Sequence, residues 1–320
     1  MAELSLKTRG ELWLANWIRR FYIFSPRFLE DTVPQRFRTY EIGFEGKESI
    51  SEFEKIPPIV WAYWNGSHPP LLIKRCFENW RQFNPAYTIR ILDDISVGDY
   101  LPDLMNSLAQ IPVARRSDWI RLELLHRYGG IWLDASTILT ESLDWILAEQ
   151  IETQSEFVGY YIGAYTKDLQ CPVIESWCMA APAGSSFIRG VLFEFANEAI
   201  TRGGHGYVEH LQNRGIYDRV RQNIDMPEYL SIHLAMQVVL RKGGKYTLCL
   251  GKAEEGPFLL HVLGNWDRTP LKIRLMFSKI RGVVPSLIKL RNPDRKRLDE
   301  YLLRGLYVKD SIFDRFLRNR

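Results

Sequence analysis

Tyr128-Gly129-Gly130-Ile131-Trp132-Leu133-Asp134-Ala135-Ser136 carries the strongest fold signal in this chain. Residues 112–128 before the glycines carry apolar side chains at helical spacing, and a Gly pair after such a run is a helix stop, because glycine enters the left-handed region without steric cost. Ile131-Trp132-Leu133 then reads as a short buried strand that delivers Asp134. In open α/β sheets ligands bind beyond the carboxyl ends of the strands, so Asp134 stands where a ligand is expected.

Working outward, Ile59-Val60-Trp61-Ala62-Tyr63-Trp64 is rich in strand formers and follows the stiff Pro57-Pro58. Asn65-Gly66 and Pro69-Pro70 close it with a loop, and residues 71–83 resume helical periodicity through Leu72, Cys76, Phe77 and Trp80. Asn84-Pro85 ends that helix. Thr88-Ile89-Arg90-Ile91-Leu92 reads as a second strand running into Asp93-Asp94. Strand, helix, strand predicts a right-handed parallel crossover, hence α/β architecture. Residues 157–165 read as a further strand, 186–200 as a helix, and Arg202-Gly203-Gly204-His205-Gly206 as a flexible loop of the lid kind. Residues 11–21 have apolar side chains at helical spacing beside Arg19 and Arg20 and predict an amphipathic helix that packs on the body or on a membrane.

With 46% hydrophobic and 25% charged residues in 320, the chain has the composition of a globular protein that folds without disulfides or structural metal. Cys76, Cys171, Cys178 and Cys249 form no CxxC pair, which predicts reduced thiols in a cytosolic setting. The apolar stretch 12–29 is broken by Arg19 and Arg20, so neither a secretory signal nor a spanning segment is expected. Residues 268–320 hold 15 Lys and Arg against 5 Asp and Glu, so the basic character belongs to the tail. That tail lacks a stacking platform or helix-turn-helix punctuation, which argues against nucleic acid. Its Leu271, Ile273, Leu275, Met276 and Phe277 alternate with Lys272, Arg274, Lys279 and Arg281, predicting a basic amphipathic helix that holds the protein at the cytoplasmic face of an anionic membrane.

Asp118 and Arg121 are three apart on the predicted helix, which puts an acceptor and a forked donor on one face, suited to sugar hydroxyls or a diphosphate. From spacing alone a surface ion pair is the plainer reading; the Gly-Gly-strand-Asp segment that follows favours a site.

The segment from Ala114-Arg115-Arg116-Ser117-Asp118-Trp119-Ile120-Arg121 to Ser136 resembles the sugar-binding core of the DXD glycosyltransferases, capsular polysaccharide synthesis branch. Residues 56–66 resemble that family's first strand and nucleotide-facing loop, and residues 80–94 its next helix and strand. The resemblance covers residues 56–148 well and continues more loosely to about 267. It implies a GT-A-like mixed sheet flanked by helices, with domain 56–267 between helical extensions 1–55 and 268–320. It implies a bacterial glycosyltransferase that moves a sugar, with retention, from a nucleotide-sugar donor such as a UDP-sugar to a capsular, other surface-glycan or lipid-linked glycan acceptor. By matching position, Asp134, Arg121 and Glu175 are the catalytic candidates. Trp61, Tyr63, Trp64, Asp118, Arg121, Trp132, Asp134, Ser136 and Trp266 are the donor-binding ones.

A divalent ion, Mn²⁺ or Mg²⁺, would stabilise the departing diphosphate, with Asp134, Ser136 and His261 as ligands; His261 lies in Pro257-Phe258-Leu259-Leu260-His261, which resembles the late GT-A segment. Ser136 stands where the family has its second acid, and a hydroxyl is a much weaker ligand. The alternative reading is a catalytically inert nucleotide-sugar or glycan-binding assembly protein of a polysaccharide synthesis complex, with Ser136 marking the loss of metal-dependent catalysis.

Overall fold

The structure is a computed structural model and describes residues 5–32, 35–43 and 54–318. Within the expected N-terminal extension, residues 44–53 lie outside the described residues. In chain order the described strands are β1 (Arg27–Phe28), β2 (Phe37–Ile42), β3 (Ile59–Tyr63), β4 (Thr88–Leu92), β5 (Gly130–Leu133), β6 (Thr137–Leu139), β7 (Phe157–Tyr161), β8 (Ile174–Ala181), β9 (Tyr246–Lys252), β10 (Ser278–Lys279) and β11 (Leu287–Lys289). The first four α-helices are α1 (Leu6–Phe24), α2 (Leu71–Phe83), α3 (Met105–Ala109) and α4 (Val113–Tyr128).

The central sheet has seven strands among the described residues, in the order β2-β9-β7-β8-β5-β3-β4. β3 pairs parallel with β4 and β5, β8 runs antiparallel to both β5 and β7, and β2 runs antiparallel to β9, so the sheet is mixed as expected. Because side chains alternate across a strand, the central strands feed two cores. Trp61, Tyr63, Trp132 and Phe157 enter the core on one face, while Val60, Ala62, Ile131, Leu133 and Val158 enter the core on the other.

The helix stop at Gly129 is as the sequence predicts. Its φ of +64° suits glycine, and a Cβ there would lie 2.6 Å from the Ala183 amide, so the chain turns into β5 against backbone with no room for a side chain. The predicted loop at residues 202–206 is instead the first turn of helix Thr201–Asn213, broken only at Gly203. The glycines there serve close packing: a Cβ on Gly204 would sit 2.1 Å from the Glu228 carbonyl oxygen.

A third core joins the two ends of the chain. Leu12 and Ala15 of α1, Leu72 and Cys76 of α2, and Ile138 pack with Leu271, Leu275, Met276, Phe277, Ile288, Leu298 and Phe313. This corrects the reading of residues 271–281 as a lipid-facing helix. Leu271, Leu275, Met276 and Phe277 are buried, and the segment is a short helix Arg268–Lys272, a π turn Ile273–Phe277 and the strand β10. Two of its four cations are buried and paired: Lys272 reaches Glu11 at 3.0 Å and Arg274 reaches Glu30 at 2.7 Å, while Lys279 is half-buried and Arg281 exposed. Further along, β11 pairs antiparallel with β6, with Lys289 opposite Thr137.

Candidate active site

β5 is buried along its whole length between β3 and β8, so its backbone is spent on the sheet and its direction is rigid. Asp134 emerges at its carboxyl end, where its amide still donates to the Trp177 carbonyl at 2.9 Å. The carboxylate is then gripped from both sides. Oδ1 accepts from Arg121 Nη2 and Trp132 Nε1, each at 3.1 Å, and Oδ2 accepts from Lys289 Nζ at 2.8 Å. Burial opposes ionisation here, but Lys289 and Arg121 outweigh it and hold the Asp134 carboxyl below the usual carboxylate range.

α4 supplies the second layer. Arg121 is buried, lies with its guanidinium 4.9 Å from the centre of the Trp132 ring, and pairs with Asp118 at 2.8 Å. Burial pushes the Asp118 carboxyl up to about 6, against the pull of Arg121 and His233. Antiparallel pairing brings the start of β8, and with it Glu175, to the same sheet end as Asp134. Glu175 is buried and lies 3.5 Å from Nε2 of the buried His233, which faces it from helix Ser231–Leu240. Asp118, Arg121, Asp134, Glu175 and His233 therefore line one end of the sheet.

The aromatic candidates are placed more variously. Trp132 is enclosed and orients Asp134 and Arg121. Trp61 is also enclosed, its indole N–H given to the Gly129 carbonyl at 2.8 Å. The Tyr63 hydroxyl donates to Asp94, which Arg116 also holds at 2.7 Å; burial and Asp94 push that phenol up to about 12. Trp64 and Trp266 are partly exposed, each beneath a guanidinium, Arg295 at 5.7 Å and Arg291 at 5.0 Å from the ring centres. Ser136 is buried, donating to the Leu290 carbonyl at 2.7 Å and accepting from Lys289 at 3.1 Å. His261 is fully buried, with Nε2 2.9 Å from Asp294.

A sequence model described as capsular polysaccharide synthesis protein matches residues 15–199, more than half of the chain. The chain belongs to the capsular polysaccharide synthesis protein family. Among curated proteins it is similar to the glycosyltransferase afumC of Aspergillus fumigatus, 33% identical over 122 residues, covering 32% of this chain and 31% of that one. It is also similar to the O-glycosyltransferase PaGT of Phomopsis amygdali, 30% identical over 138 residues, covering 38% and 34%. The chain thus spans about a third of the length of the curated relatives it matches. Among solved structures, galactosyltransferase LgtC with donor and acceptor sugar analogues aligns over 73% of this chain and 87% of that one, at TM-score 0.36 and 10% identity. The PaToxG glycosyltransferase aligns over 61% and 89%, at TM-score 0.32 and 14% identity.

In this family member the sequence reading missed three cations, Lys289, Arg291 and Arg295, all from β11 and the turn after it. Their charge was visible in the basic tail, and the alternation in Leu287-Ile288-Lys289-Leu290-Arg291 is a strand signal, but nothing local says which strand it joins. Tyr229 was missed as well. It is 60% exposed, yet its phenol is pushed up by partial burial and by Asp118 and Asp134, with Arg121 and Arg295 pulling back, so those charges converge on it.

The three metal-ligand candidates are otherwise engaged. Asp134 is flanked by two cations, Ser136 is held between Lys289 and Leu290, and His261 is tied to Asp294. Among the described residues no group of three or more His, Cys, Asp or Glu side chains is placed to hold a metal ion. A divalent ion wants several oxygen ligands at about 2.0–2.6 Å, and these residues as placed do not make such a cage.

Proposed function

We propose that this chain is a glycosyltransferase that moves a sugar from a nucleotide-sugar donor, a UDP-sugar, to a hydroxyl of a capsular or other surface glycan, with retention at the anomeric carbon. The observation that carries the reading is the Asp134 carboxylate, fixed at the carboxyl end of a buried strand between Arg121 and Lys289. As the bond from the anomeric carbon to phosphate breaks, negative charge builds on the departing diphosphate. Cations preset in a partly dry site stabilise that charge without reorganising. The acceptor oxygen bonds to the same carbon, and its proton passes to the departing phosphate oxygen, so no separate protein base is required. The match to a capsular polysaccharide synthesis family supports the acceptor class. The named glycosyltransferases among the relatives support the reaction class.

The setting we propose is a membrane's cytoplasmic face, reached through α1. Among the described residues no helix is long and apolar enough to cross a membrane. Leu12 and Ala15 turn inward, and Leu6, Trp13, Trp17, Phe21 and Phe24 are left exposed along the opposite side, with exposed Arg9 and Arg20 at the stripe's border. Aromatics flanked by cations suit an anionic lipid surface. An open groove of about 760 Å³ between α1 and the tail is lined by Leu14, Ile18, Trp266, Arg268 and Arg291, among others, so it runs from this helix to Trp266, one of the donor-binding candidates. That continuity supports a lipid-linked acceptor.

The deciding experiment is a screen of nucleotide sugars for slow hydrolysis by the purified protein. One donor should be consumed, and consumption should stop in Asp134→Asn. Tight nucleotide binding with no turnover of any donor, acceptor extract included, would point to the inert assembly protein instead.

A further inference from the structure

We infer that Lys289 takes the place of a divalent cation at this site, so that the donor diphosphate is held by a protein ammonium group and binds without added metal. The inference rests on the donor reading above and adds the means of charge compensation.

The geometry is specific. β11 lies beside β6 in a register that puts Lys289 opposite Thr137, just past the Asp134-Ala135-Ser136 turn. Its side chain is 10% exposed, and Nζ lies 2.8 Å from Asp134 Oδ2 and 3.1 Å from Ser136 Oγ. The ammonium thus bridges the residue at the first acid position and the residue at the second. An ammonium has three N–H donors, and these two oxygens take two, which leaves one for a phosphate oxygen.

The charges agree with the geometry. Two carboxylates around a divalent ion sum to zero, and so do one carboxylate and one ammonium. Ser136 in place of an acid is therefore what a lysine bridge requires. An aspartate at 136 with Lys289 would leave an excess negative charge where a diphosphate must bind. A metal ion would meet the opposite difficulty, since Arg121 and Lys289 already occupy both oxygens of Asp134. Arg295, placed over the donor-binding candidate Trp64, forms no ion pair among the described residues and is a further cation available to a diphosphate.

The test is calorimetric titration of UDP and UMP into the full chain, in excess EDTA and again with Mn²⁺. UDP should bind the wild-type protein in EDTA, with an affinity that Mn²⁺ changes by less than about twofold. Lys289→Met should weaken UDP by roughly tenfold to a hundredfold while UMP binding stays near the wild-type value, because the lost charge acts on the outer phosphate. Unchanged UMP binding also shows that the variant has folded. Lys289→Arg should retain most of the UDP affinity, and Ser136→Asp combined with Lys289→Ala should make UDP binding Mn²⁺-dependent. The inference is overturned if wild-type UDP binding disappears in EDTA and returns with Mn²⁺, or if Lys289→Met binds UDP as wild type does. A wild-type protein that binds neither nucleotide under any condition overturns the donor reading itself, and this inference with it.

Discussion

Asp134 carries two burdens that its substitutions separate. In the proposed reaction it faces the donor, and in the fold it is the counter-ion of the buried Arg121 and Lys289. Asp134→Asn keeps the shape and part of the hydrogen bonding, so we expect turnover to fall by about a hundredfold or more, measured as donor hydrolysis, with folding preserved. Asp134→Ala leaves two cations without their shared partner and should also cost about 3 kcal/mol in urea unfolding. Asp118 works in the opposite sense. Its folded pKa of about 6 lies above the usual 3.8, so its contribution to stability is full below about pH 4 and is lost as pH rises through 6. The wild-type protein should therefore lose stability relative to Asp118→Asn between pH 4 and pH 7, by up to about 3 kcal/mol, read as the difference between their melting curves at the two pH values. Equal pH dependence in both proteins would show that Asp118 is not held protonated by burial. A carboxylate kept at such a cost is consistent with a ligand that uses it.

Among the secondary-structure elements, α1 and β11 are the least legible in the sequence. The helical spacing of α1 was plain, but which face it would bury was not, because Leu12, Trp13, Leu14 and Trp17 offer apolar side chains nearly all round. Packing of Leu12 and Ala15 against the tail leaves Trp13 and Trp17 at 71% and 58% exposure. We expect Trp13→Ser with Trp17→Ser to reduce co-sedimentation with anionic vesicles by about tenfold, with thermal stability little changed. Binding of the wild-type protein should also weaken with salt. Equal binding to neutral vesicles, or an unfolded double variant, would refute the assignment of this face to lipid. β11 was invisible as a sheet partner because its register with β6 joins residues some 150 positions apart, as in the Lys289–Asp134 pair.

Across the molecule, part of the contrast between an acidic body and a basic tail is taken up by internal pairing. Lys272 with Glu11, Arg274 with Glu30 and Lys289 with Asp134 each join a tail cation to a carboxylate from earlier in the chain. Removing residues 268–320 would therefore strip the third core of most of its apolar side chains and the site of Lys289. We expect the truncated chain to lose cooperative unfolding, seen as a broad transition with dye-binding apolar surface. A sharp transition near the wild-type temperature would show that the tail is an appendage. The milder change Leu275→Ala, at a fully packed position, should cost about 2–5 kcal/mol.

The α/β class, the β3-α2-β4 crossover, the helix stop at Gly129 and the strand that presents Asp134 are all legible in the sequence. Each of these depends on a local rule, either periodicity or glycine and proline punctuation acting over a few neighbouring residues. The sequence also places Asp118, Arg121 and Asp134 together, since they sit on one helix and the strand that directly follows it. Packing across the fold is what brings Lys289 between Asp134 and Ser136, encloses His261 with Asp294, and leaves α1 rather than the tail with an apolar face turned outward. Those outcomes depend on which surfaces meet across long stretches of chain. Hydrophobic burial and charge pairing select such contacts among many alternatives of equal local quality, and no short window of sequence records the choice.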